Sequence, residues 1–94
     1  MVENNDKARK QIRRAVALHY QPDKRQAPTV SASGRGWLAE RIVTMARENK
    51  VPVVTDSALV SVLSSLSLGE EVPQELYEAI AAIYAFVMEA DRRY

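Results

Sequence analysis

Apolar residues gather in short stretches whose spacing changes along the chain. Ala15-Val16-Ala17-Leu18-His19-Tyr20 is apolar without helical spacing and predicts a strand. It stops at Gln21-Pro22-Asp23-Lys24, where Pro followed by Asp favours a turn. Ala27-Pro28-Thr29-Val30-Ser31-Ala32-Ser33 is again β-compatible, with Pro28 at the strand start, where its missing N–H does least harm. Two such runs joined by about six residues predict an antiparallel hairpin. Residues 1–11 show no apolar periodicity and read as a mobile arm or, at most, a frayed helical extension.

Gly34-Arg35-Gly36 breaks the second strand, and the pattern then turns helical. From Trp37 to Asn49 the apolar face is Leu38, Ile42, Met45 and Ala46, while Glu40, Arg41, Arg47 and Glu48 take the wet face. Val51-Pro52-Val53-Val54 predicts a short buried strand. Strand, helix and strand in this order imply a right-handed crossover and a parallel pair. Thr55-Asp56-Ser57 offers N-cap oxygens to a short helix through Leu59, Val60 and Leu63, closed by Ser67-Leu68-Gly69. Pro73 at a first helical position, with Glu70, Glu71, Glu75 and Glu78 around the positive end and Arg92 and Arg93 at the other, frames a last helix.

That last helix carries two apolar stripes, Leu76, Ile80, Ile83 and Val87 and, beside them, Tyr77, Ala81, Tyr84 and Met88. Burying one Leu or Ile is worth about 1.5–3 kcal/mol, so the first stripe must pack on the sheet. The second is core, or belongs partly to a partner surface. The expected fold is a small α/β domain: a mixed β-sheet, hairpin plus parallel strand, surrounded by helices. The expected division is a flexible basic arm over 1–12 and a domain over 13–94.

Composition narrows the chemistry. The 94 residues suffice for one domain, and 47% hydrophobic residues can build its core. With no Cys and a single His19, cystine, thiolate nucleophiles, Cys-based zinc sites and His pairs are excluded. No apolar run approaches the roughly 20 residues that cross a bilayer, and the polar start is not a secretory signal. A cytoplasmic protein is expected. The net charge of +1 hides an asymmetry: residues 1–25 hold seven Lys/Arg against Glu3, Asp6 and Asp23, and the remainder six basic against nine acidic residues.

Candidate catalytic groups each have a plainer explanation. Gly34-Arg35-Gly36-Trp37-Leu38-Ala39 matches the G-x-G-x-x-A dinucleotide fingerprint, with Asp56 twenty residues after Gly36. The preceding strand is too polar for a central parallel one, Trp37 would crowd a phosphate, and there is no room for two mononucleotide halves. His19, with Asp23 four residues on, reads as a solvated residue beside a turn. Asp56 and Ser57 read as caps, since no His is placed to activate Ser57. Glu70 and Glu71, adjacent before a helix, point to solvent. No catalytic group, cofactor, metal or small-molecule substrate is expected. The basic arm could neutralise phosphates, but it lacks interleaved aromatics and the acidic body opposes a broad DNA face. A small nucleic-acid-associated regulator using that arm is the alternative reading.

The run from Ala15 to Val87 resembles the C-terminal cytoplasmic domain of the FlhB/YscU export proteins. The likeness rests on Ala15-Val16-Ala17-Leu18-x-Tyr20, Ala27-Pro28-x-Val30, Gly34-x-Gly36-x-x-Ala39-x-x-Ile42-x-x-x-Ala46, Val51-Pro52-Val53, Leu59 and Gly69-x-x-Val72-Pro73-x-x-Leu76-Tyr77-x-Ala79-Ile80-Ala81. The resemblance implies a non-enzymatic domain of flagellar or type III protein export that receives export substrates and takes part in switching between them. Its partners would be export substrates and export-apparatus proteins, and any membrane association would be indirect, through that apparatus. It also implies a shallow apolar docking pocket, carried over to Ala27 and Pro28 at the second strand and Ala82 and Ala85 on the last helix. Ala85 is smaller than the family's usual Leu; ordinary close helix packing would equally explain both alanines. Three departures are visible. The family's self-cleaving Asn-Pro-Thr-His is replaced by Lys10-Gln11-Ile12-Arg13, and no Asn-Pro occurs in the chain. The family's membrane helices have no counterpart here, so the expectation is a free-standing adaptor. Ser61 stands where the family usually has Arg.

Overall fold

The computed structural model describes residues 1–4, 13–20 and 27–83. Its framework is a four-stranded sheet formed by β1 (Val2–Asn4), β2 (Arg14–His19), β3 (Thr29–Arg35) and β4 (Val54–Thr55), in the spatial order β3-β2-β1-β4. The helices are α1 (Trp37–Glu48), α2 (Ser57–Leu63) and, after a 3-10 turn at Gln74–Leu76, α3 over residues 77–83.

The expected hairpin is present. β2 and β3 pair antiparallel from Arg14↔Arg35 to His19↔Thr29, and a register shift leaves Ser31 without an opposite residue, since Ala17 faces Ala32 while Leu18 faces Val30. The predicted turn at 21–24 lies outside the described residues.

Two expectations about strands are corrected. Val2–Asn4, read from sequence as part of an arm, is a buried strand between β2 and β4, antiparallel to the first and parallel to the second. Residues 5–12 of that arm lie outside the described residues. The parallel partner of β4 is therefore β1 and not β3, although the crossover from β3 through α1 does reach a parallel strand of the same sheet. β4 is also shorter than expected, with Val51 and Pro52 exposed. Glu3 explains why β1 was missed: a carboxylate in a three-residue strand reads as solvent-facing until its partner is known. Glu3 is 2% exposed, and Arg13 donates to its Oε2 from Nη2 at 2.6 Å and from Nε at 3.1 Å.

Each face of the sheet has its own core. On one face Ala15 packs with Ala39 and Val43 of α1, with Ile42 and Val53 at the margin. On the other, Val2, Val16 and Val30 meet Leu59, Val60 and Leu63 of α2, together with Val72 and Ile80. The result is a three-layer sandwich. The buried face of α1 is Ala39, Val43 and Ala46; of the predicted Leu38, Ile42, Met45 and Ala46, Ala46 is buried, Ile42 is half-buried, and the face is turned toward Ala39 and Val43. Leu38 and Met45 are 44% and 53% exposed. Gly34 makes room for Leu38 and Ile42 of the same helix: a Cβ on Gly34 would lie 2.6 Å from Leu38 Cγ.

The helix ends follow local chemistry. Gly36 opens α1 at φ 62°, a conformation that costs Gly little. Lys50 and Val51 donate to the carbonyls of Arg47 and Ala46 at 3.1 and 2.7 Å, the pairing of a Schellman end. Asp56 caps α2 as expected, its Oδ1 accepting from the Leu59 amide at 3.0 Å. Pro73 precedes the 3-10 turn instead of opening an α-helix directly.

Candidate functional site

The outer edge of β3 is built into the site predicted for docking. Residues 69–72 run beside it: Val30 donates to the Glu70 carbonyl at 3.1 Å, Gly69 to the Val30 carbonyl at 2.8 Å, and Val72 to the Pro28 carbonyl at 2.8 Å. Thr29 and Glu71 form an antiparallel bridge. Pro28 has no N–H to offer, so its carbonyl carries the attachment at the strand start.

Of the four predicted docking residues, three fall within the described structure. Pro28 is buried, Ala27 is half-buried, and Ala82 is exposed on α3. Ala85 lies outside the described residues. What joins the strand and helix flanks is a shared core in which Val30, Val72 and Ile80 are all at most 2% exposed. Pro28 thus belongs to the supporting framework, while Ala27 and Ala82 are the positions with surface to offer. Of the second stripe of the last helix, Tyr77 and Ala81 are exposed, and Tyr84 and Met88 lie outside the described residues.

Sequence reasoning missed some exposed apolar side chains. Leu68, 69% exposed, immediately precedes the segment that pairs with β3, and Trp37, 71% exposed, begins α1. An isolated apolar residue in a turn or first helical turn has no periodicity to reveal which way it faces.

The nucleotide fingerprint is explained by folding. β3, which precedes the two glycines, pairs antiparallel with β2 and not within a parallel sheet. The Gly36 amide, which would face a pyrophosphate, instead donates to the Arg13 carbonyl at 2.7 Å. Asp56 is occupied as a cap. The alternative nucleic-acid reading also loses a cation, because Arg13 is committed to Glu3 and lies 3.9 Å from Glu40.

A concavity lies at the opposite end of β3 from Pro28. Arg14, Ser33, Gly34 and Arg35 line it from the sheet, and Ser61, Ser64 and Ser65 from α2 and the turn after it; its volume is about 340 Å³.

This arrangement of strands and helices has counterparts. Residues 12–87 match the family described as FlhB HrpN YscU SpaS. The chain belongs to that family. It is 40% identical over 80 residues to the Bacillus subtilis protein YlqH, covering 85% of this chain and 86% of that one. It is likewise 40% identical over 75 residues to the flagellar biosynthetic protein FlhB of Aquifex aeolicus, covering 79% of this chain but only 21% of FlhB. The chain thus spans about a fifth of that FlhB and most of YlqH. Among solved structures, the cytoplasmic domain of FlhB from Shewanella putrefaciens superposes with a TM-score of 0.76 at 28% identity, over 93% of this chain and 65% of that one. The FlhB-like fold expected from the resemblance is the fold observed. Among the described residues no helix is long and apolar enough to cross a membrane.

Proposed function

We propose that this chain is a non-enzymatic FlhB-like docking module of flagellar or type III protein export. It binds export substrates or export-apparatus proteins at an apolar notch where the start of β3 meets the last helix. The observation that supports this reading is the corner itself: Pro28 is buried and tied to Val72, Val30, Val72 and Ile80 share one core, and Ala27 and Ala82 keep exposed surface. Small side chains on a rigid support leave space into which a partner's larger apolar side chain can insert. Ala85, carried over from the family resemblance, is included in the proposed notch. Membership of the family supports export-apparatus partners, and the likeness to FlhB's cytoplasmic domain supports a cytoplasmic setting; a place peripheral to the export apparatus is part of the proposal.

The family's self-cleavage is absent in this reading. An Asn side chain that attacks its own carbonyl is required, and Lys10-Gln11-Ile12-Arg13 supplies none. Calorimetric titration with purified rod- or hook-type export substrates tests the docking claim. Binding by the unaltered chain and its loss in both Ala27→Asp and Ala82→Asp would support the notch, whereas unchanged binding in both variants rejects it. Ala82 and half-buried Ala27 are better probes than Pro28, because a carboxylate in place of a buried residue would also unfold the corner.

A further inference from the structure

We propose that the groove between the Arg14–Arg35 end of the β2–β3 ladder and the C-terminal half of α2 is an anion site that receives a carboxylate of an acidic protein segment. It is separate from the notch, at the other end of β3, and does not depend on it.

Arg14 and Arg35 are direct cross-strand partners. Partners across a ladder share one face of the sheet, and like charges placed opposite each other disfavour the fold. Nothing among the described residues neutralises them: the ion pairs present are those of Arg13 with Glu3 and Glu40. Both arginines line the same groove, with Ser33 from β3 and Ser61 from α2. The hydroxyls of Ser33 and Ser61 make no hydrogen bond among the described residues. Ser64 and Ser65 donate theirs to the Val60 and Val62 carbonyls at 2.6 and 2.7 Å. Two arginines and two serines with free hydroxyls therefore line one concavity. The carboxy end of α2 offers only a partial negative charge and cannot balance two full positive ones.

Part of the site is held in place before any ligand arrives. The Arg14 amide donates to Oδ1 of Asn4, itself 7% exposed, so the backbone carrying Arg14 is fixed to the sheet. A guanidinium fork matches the two oxygens of a carboxylate, and hydroxyls can complete its acceptor positions. A short acidic segment suits the groove better than nucleic acid. A long polyanion would also meet the rest of the molecule, where residues 26–94 carry nine acidic against six basic side chains.

The test is an NMR titration of the full chain with the peptide Ac-(Asp-Glu)3-NH2, beside Ac-(Asn-Gln)3-NH2 and a single-stranded oligonucleotide. The acidic peptide should shift amides at 33–35 and 61–65. The Arg14→Gln/Arg35→Gln variant should weaken binding about tenfold or more, and Arg41→Gln, on the exposed side of α1, should leave it unchanged. Arg35→Gln alone should melt no lower than the unaltered chain, since it removes a like-charged neighbour. Equal binding of the neutral peptide, shifts away from the groove, tighter binding of the oligonucleotide there, or a lowered melting temperature in Arg35→Gln would each overturn the proposal.

Discussion

Lys50 holds a left-handed backbone at φ 59°, where the Schellman end of α1 needs it and where a Cβ is strained. Replacement by Gly relieves that strain and gives back part of the gain as chain entropy. Lys50→Gly should therefore raise unfolding free energy by about 0.5–1 kcal/mol in urea denaturation; a loss of stability would contradict the assignment. Asp56 was legible as a cap because a carboxylate directly before an apolar helical run has few other uses. Asp56→Ala should cost about 1 kcal/mol. Glu3 was not legible, because its partner lies ten residues away in sequence and only the fold brings Arg13 to it. Arg13→Ala leaves a buried carboxylate unpaired and should cost about 3 kcal/mol. Replacing both members by Met should recover much of that loss.

The elements show where periodicity suffices and where packing overrides it. The hairpin was readable because β-compatible runs flanked a Pro-Asp turn. The face of α1 was read correctly at Ala46 and at half-buried Ile42 but shifted at Leu38 and Met45, because periodicity weighs Leu and Met above the Ala39 and Val43 that the sheet covers. Thermal denaturation distinguishes the two phases: Val43→Ala should cost about 1–2 kcal/mol and Met45→Ala less than about 0.5. The reverse order would restore the predicted face. β1 gave no periodic signal in three residues, yet it supplies Val2 to the core and pairs with two strands. Removing residues 1–4 should lower the unfolding midpoint sharply, whereas a free arm would leave it unchanged.

At the scale of the whole molecule, the order and spacing of motifs identified the family and its sheet-and-helix architecture before any coordinates. The surroundings of the proposed notch were only partly legible. The resemblance could single out Ala27, Pro28 and Ala82, but not that Pro28 would be buried and bonded through its carbonyl to Val72. The arginine–serine groove was invisible, since Arg14, Arg35 and Ser61 meet only once strand register and the position of α2 are known. The docking account is tested most directly by a photo-reactive amino acid placed at Ala82 in cells assembling flagella, with Arg41 as the comparison. Covalent capture of an export substrate or export-apparatus protein from position 82, and none from position 41, is the predicted result. Capture from position 41 alone, or from neither position, would contradict a docking notch beside the last helix.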